Sequence, residues 1–156
     1  MNTFTIDPNC SSWITVPQHS DFPIQNIPFG VFQTADETIS CGTRIGDTVI
    51  DLGALEQLGY FNDLNLPEGT FMQNTLNAFI DLGRPTWRAV RKRLVELFEK
   101  SNTTLQNQSQ HHAHVLFPIQ EVTMLLPVQI GDYTDFYSSK EHATNVGMMF
   151  RDPNNA

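Results

Sequence analysis

Between Gly131 and Arg151 the sequence GDYTDFYSSKEHATNVGMMFR brings together two aspartates, several hydroxyl-bearing side chains, a histidine and an arginine. If Tyr133 to Tyr137 is extended, side chains alternate, so Tyr133, Asp135 and Tyr137 share one face while Thr134 and Phe136 share the other. Phe136 then anchors in the core. A carboxylate flanked by phenols suits a hard cation or a polar substrate better than it suits packing. Ser138 followed three residues later by Glu141 has the form of a capping box, which predicts a helix that starts there and runs through His142. A histidine within a turn of a helix N-terminus is held near the positive end of the dipole, which favours the neutral imidazole that a general base needs. Arg151 follows nine residues after His142, on the opposite side of a continuous helix at ~100° per residue. Both line one pocket only if the helix ends or bends first, and Gly147 with Met148-Met149 sits where such an ending can occur. The group of donors is incomplete as it stands, and the reading expects its remainder to come from outside these residues.

The elements that must position this segment are ordinary in composition. The chain has 156 residues and a net charge of -8, which predicts one domain plus a tail and disfavours nucleic acid or an anionic membrane as partner. Cys10 and Cys41 match no disulfide framework or metal spacing, and no basic n-region or long apolar run is present, so a reduced, soluble, cytoplasmic chain is expected. Residues 1 to 28, with Pro8, Pro17, Pro23 and Pro28, suit an extended strap lying on a body. Phe29–Thr34, Ile39–Ile45 and Thr48–Leu52 read as short strands, the last two joined by a hairpin at Gly46-Asp47.

Leu76, Phe79, Ile80 and Leu82 fall near helical spacing, and Gly83 is placed to end that turn in a left-handed conformation. Pro85 then opens a second helix whose buried stripe is Trp87, Val90, Leu94, Leu97 and Phe98. Its basic residues between Arg84 and Arg93 read as a solvated face, with Glu96 and Lys100 as an i,i+4 pair. Ser101 to Gln110 is polar and reads as a loop. His111, His112 and His114 are read with it, as a loop tract able to hold nickel or zinc adventitiously and nothing more. A strand over Val122–Leu126 is ended by Pro127.

Three stretches resemble the fumarylacetoacetase family of carbon-carbon bond hydrolases: DFPIQNIPFGVF from Asp21 to Phe32, IGDTVIDL from Ile45 to Leu52, and IGDYTDFYSSKEHATNVGMMFR from Ile130 to Arg151. The resemblance implies a mainly β fold with α: residues 1–127 as a small SH3-like β-barrel decorated by helices, and residues 128–156 as the truncated first segment of a β-roll catalytic domain. Carried over by motif, Asp135 is implied as a ligand of a catalytic Ca2+, with Mg2+ as a second metal. Tyr137 and Arg151 are implied as substrate contacts, and His142 as the base that activates water.

The implied reaction is hydrolysis of 4-fumarylacetoacetate to fumarate and acetoacetate, the last step of tyrosine and phenylalanine breakdown. The implied assembly is a homodimer through the catalytic domain, with the present chain monomeric and inactive alone. Two alternatives stay open: a free-standing SH3-like interaction module keeping a relic of the motif, and a related hydrolase or decarboxylase acting on another acyl-pyruvate-like compound.

Overall fold

The computed structural model describes residues 5–152. Its central hairpin turns at Gly46, whose φ of +54° favours glycine and whose missing Cβ leaves room for the Thr15 carbonyl, 2.3 Å from where that atom would sit. The strands it joins, β2 (Ile39–Ile45) and β3 (Thr48–Asp51), pair Ile45 with Thr48 and Gly42 with Asp51. β1 (Phe29–Gln33) pairs along the other side of β2, from Phe29 opposite Thr43 to Gln33 opposite Ile39. Two short edge strands complete a five-stranded antiparallel sheet: β4 (Leu116–Pro118) beside β3, and β5 (Thr123–Leu125) beside β1. β4 does not figure among the expected strands, and β5 occupies the core of the expected Val122–Leu126 run.

The two edges are consecutive in the chain. A single 3-10 turn, Ile119–Glu121, links them. A flat sheet of five strands would set its edges about 19 Å apart, and the five residue steps from Pro118 to Thr123 reach at most about 18 Å even without a turn. The sheet is therefore strongly curled. Both faces of β1 are accordingly buried: Val31 joins the main core, while Phe32 packs inside the curl against Phe117, ring centroids 5.6 Å apart. The described pairings leave the sheet open between β4 and β5.

The main core lies between the convex face of the sheet and the helices. α1 (Leu52–Gln57) starts directly at the end of β3, because Asp51 caps it by accepting from the Ala54 amide at 2.9 Å. Burial pushes the Asp51 carboxyl above its ordinary value, against hydrogen bonds from Ala54, Ser40 and Gly53 that pull it down. A raised native pKa favours the protonated form in the folded state, so the group's contribution is lost as pH rises through that value. Asp51→Asn keeps a good cap without the buried charge. We expect it to melt above the parent at pH 8, with the gap closing as pH falls toward the unfolded carboxyl's value of about 3.9. Equal melting temperatures across that range would refute the assignment.

α2 (Asn77–Asp81) ends at Gly83, whose φ is +78°, and α3 (Gly83–Phe98) begins there. The expected left-handed residue is thus the joint between the helices, stapled by Trp87, whose indole N–H donates to the Phe79 carbonyl at 2.9 Å. α3 buries Val90, Leu94, Leu97 and Phe98, as its periodicity predicts, together with Val95, which the expected stripe did not include, while Trp87 is only half-buried. Two details of its polar face differ. Glu96 pairs with Lys92 and Arg93, because the helix stops at Phe98 and leaves Lys100 outside it. Arg91 is no solvated residue: its guanidinium donates to the carbonyls of Ile27, at 2.8 Å, and Gln25. Arg93 likewise donates to the Tyr60 carbonyl and forms a two-pronged pair with Asp63. These segments carry carbonyls without a ladder to satisfy them, and arginine reaches them.

The N-terminal strap does lie on the body, its first four residues falling outside the described ones. Ser12 bridges Glu99, the Trp13 amide donates to Phe98 at 3.1 Å, and the Trp13 ring stacks on Phe98. Both cysteines are free thiols, Cys41 buried and Cys10 partly exposed. Burial pushes Cys41 to about 11, and its S–H meets the carbonyls of Gln73 and Thr75 at 3.3 and 3.5 Å. Burial, then Glu99 and Asp7, raise Cys10 as well. A disulfide reagent at pH 8 is expected to modify Cys10 slowly in the native chain and Cys41 only after denaturant is added. Equal native rates would contradict the burial of Cys41.

Candidate functional site

The segment carrying the candidate residues leaves the sheet after β5 and forms no regular element until α5 (Lys140–Phe150). Its helix cap is Ser139, one residue later than the expected Ser138. Ser139 has extended backbone angles and stands three residues before His142, so its hydroxyl accepts from the His142 amide at 3.2 Å. The same hydroxyl donates to Glu141 at 3.0 Å. Glu141 thus meets the cap side chain rather than the cap amide. Its own backbone amide, then the Ser139 hydroxyl, hold its carboxyl below the usual range.

This cap fixes the start of the helix at the candidate base. The His142 ring lies 5.2 Å from the Tyr137 ring, tilted by 55°, so two of the four candidate residues are brought together. Asp135 lies two residues before Tyr137 and is exposed.

Arg151 is not gathered with them. α5 continues through Gly147 to Phe150, and Arg151 is its C-terminal cap residue. The expected break at Gly147 does not occur, because helical hydrogen bonding runs on to Arg151, whose amide donates to the Gly147 carbonyl at 2.9 Å. His142 and Arg151 therefore sit at opposite ends and on opposite sides of one helix. Phe136 is no core anchor either: it is 80% exposed and Tyr133 84%, since strand-like alternation buries a face only where a neighbouring layer covers it.

The donor set falls short of what a divalent cation needs. Calcium takes about 6–8 oxygen ligands, and Asp135 offers one carboxylate. Among the described residues no group of three or more His, Cys, Asp or Glu side chains could hold a metal ion. Residues 5–152 by themselves do not make a cation site.

The histidine tract is helical, correcting the expected loop. α4 (Ser109–Val115) packs it on the body: His111 meets the Tyr60 hydroxyl at 2.8 Å, and His112 stacks on Trp13 and reaches the Leu105 carbonyl at 3.0 Å. Two of its three imidazoles thus hold α4 in place. Ser139 carries no signal that sets it apart from the adjacent Ser138, since both are serines within capping reach of the same turn. Asn77 was missed as well, a residue 52 positions from the backbone it binds.

Fold and site together define a mixed α/β domain with a five-stranded antiparallel sheet, which hands its chain on to an exposed, chemically loaded segment. The chain belongs to the fumarylacetoacetase N-terminal family, whose model matches residues 25–127. It is 46% identical over 146 residues to a fumarylacetoacetase of Caenorhabditis elegans, covering 93% of this chain and 35% of that protein. Similar matches are a Dictyostelium discoideum fumarylacetoacetase, 44% identical over 93% of this chain and 34% of the relative, and a human one, 43% identical over 93% and 35%. The chain spans about a third of the length of these curated relatives. Among the described residues no helix is long and apolar enough to cross a membrane.

Proposed function

We propose that this chain is the N-terminal part of a fumarylacetoacetase, a hydrolase that cleaves 4-fumarylacetoacetate to fumarate and acetoacetate in tyrosine catabolism. The observation that carries the reading is the extent of the similarity. A match over 93% of the chain leaves out only about ten of its outermost residues, so Asp135, Tyr137 and His142 fall within it.

Cleaving a β-diketone needs water to attack a carbonyl and an enolate to depart. In this reading His142 takes the proton from the attacking water. The capped start of α5 fixes its backbone, and Tyr137, whose ring packs on the imidazole, contacts the substrate. Arg151 makes a second substrate contact once the far end of α5 is folded against the rest of the site. Asp135 supplies one ligand to a divalent cation, Ca2+ or Mg2+, whose other ligands come from outside residues 5–152. When bound, such a cation stabilises the negative charge developing on substrate oxygen.

The same reading takes the curled sheet as an SH3-like barrel spanning residues 1–127 and residues 128–156 as the start of the catalytic domain. The β4-β3-β2-β1-β5 meander, with a 3-10 turn between its edge strands, supports the barrel. The exposed apolar side chains Leu126, Ile130, Phe136, Met149 and Phe150 support a covering partner surface for the second part. A cytoplasmic homodimer, joined through the catalytic portion and without nucleic-acid or membrane partners, completes the proposal.

The test is loss of fumarylacetoacetate in the presence of calcium, with the 156-residue chain assayed beside the longest translated product of the same gene. Turnover in the longer product alone is expected. Turnover by the 156-residue chain would overturn the incomplete site, and its absence from both would favour a free-standing interaction module.

A further inference from the structure

The hand-over from the sheet to the candidate site is made at one side chain. Pro127, two residues beyond β5, has no amide hydrogen, so the ladder with β1 cannot run on through it. Two neighbouring residues take hold of the departing chain instead. The Leu76 amide donates to the Pro127 carbonyl at 2.8 Å. The Asn77 side-chain amide donates to the Gln129 carbonyl at 3.0 Å and accepts from the Gln129 amide at 2.9 Å. Gln129 thus exchanges both backbone bonds with one side chain, as it would with a strand neighbour in an antiparallel pair. A carboxamide is suited to this because it carries a donor and an acceptor side by side.

Asn77 stands on a braced platform. Leu76 is buried, and the Gln73 and Thr75 carbonyls just before it meet the Cys41 thiol on β2. Glu56 on α1 accepts from the amides of Thr70 and Phe71 at 3.1 and 2.7 Å. These contacts tie the 70–77 segment to both the sheet and α1, and Asn77 links that tied segment to Gln129.

We propose that Asn77 is a positioning residue that, through Gln129, sets where the Asp135–His142 segment leaves the scaffold, an inference that rests on the functional reading above. Asp135 follows Gln129 by six residues, a reach of about 20 Å. Without the clip the last tie is Pro127, and the free lead grows from six residues to eight.

The test compares Asn77→Ala and Asn77→Asp with the parent 156-residue chain, reading amide hydrogen exchange at Gln129 and the thermal midpoint. Asn77→Ala is expected to speed exchange at Gln129 about tenfold, the effect of losing two exposed hydrogen bonds. Its midpoint should stay within about 2 °C of the parent. Asn77→Asp keeps the acceptor for the Gln129 amide and is expected to retain most of its protection. Unchanged exchange in Asn77→Ala, or no protection by Asn77→Asp, overturns the clip.

In the longest translated product, Asn77→Ala is expected to lower kcat about threefold or more with KM held, and Asn77→Asp to restore part of the loss. Unchanged kcat with Gln129 released overturns the positioning role. A parent product without turnover sinks the functional reading and the catalytic consequence with it, while exchange at Gln129 still decides the clip.

Discussion

Phe71→Ala is expected to destabilise the folded chain by about 3–5 kcal/mol, among the largest effects of any single truncation here. Phe71 is fully buried, with Phe61 at 5.6 Å and Phe79 at 4.8 Å between ring centroids, and Phe79 in turn meets Phe29 on β1 at 4.9 Å. The aromatic row therefore runs from the sheet through α2 to the segment that carries Phe71, and on to Phe61. Two effects set the size. The ring's transfer term is lost together with tilted aromatic contacts worth about 0.5–1.5 kcal/mol beyond area. The cavity also cannot collapse easily, because Glu56 holds the Phe71 amide at 2.7 Å and keeps the backbone from following the missing ring inward. Urea unfolding followed by circular dichroism measures the loss, with Tyr133→Ala as an exposed control expected within about 0.5 kcal/mol of the parent. A cost below about 1.5 kcal/mol for Phe71→Ala would mean that the row is not continuous in solution.

The elements that were legible in the sequence are those whose signals are local. The Gly46-Asp47 turn fixes the β2–β3 hairpin, and the spacing of Val90, Leu94, Leu97 and Phe98 fixes α3, each within a window of a few residues. α4 escaped because Ser109–Val115 is short and polar, and contacts with Tyr60 and Trp13, both distant in sequence, help to hold it. β4 escaped for the related reason that a three-residue strand is defined by its partner, Leu116 opposite Ile50, rather than by its own composition. Arg91 was misread because its type suggests solvent. What draws it inward are strap carbonyls more than 60 positions away.

The site divides along the same line. That a serine cap would precede His142 was legible to within one residue, since capping is a local hydrogen bond. The proximity of the Tyr137 and His142 rings follows from that cap and the short lead into it. The expected core position of Phe136 was not reliable, because alternation names a face and only a neighbouring layer decides whether that face is buried. Arg151 failed similarly: a glycine permits a helix to end but does not require it, and the hydrogen bonding of α5 runs through Gly147 to Arg151. Asn77 and Gln129 give no local sign of each other, and only the path of the chain after Pro127 brings them together.

His142→Gln is expected to lower turnover by roughly 10²–10⁴-fold in the longest translated product, the range associated with removing a general base. The stability of the 156-residue chain is expected to stay within about 0.5 kcal/mol of the parent. The two expectations separate chemistry from folding. The His142 side chain is exposed and packs against the Tyr137 ring, so its loss opens no core. Glutamine retains the backbone amide that Ser139 caps, so α5 keeps its start. Tyr137→Phe makes the companion variant: the ring still packs on His142 while the hydroxyl is gone. A role for Tyr137 in substrate contact predicts a raised KM, whereas a role only in holding the imidazole predicts kinetics close to the parent's. Should His142→Gln turn over at a rate near the parent's, the base must be another group, and the ring pair at Tyr137 and His142 would be a packing feature of the start of α5 rather than part of the reaction.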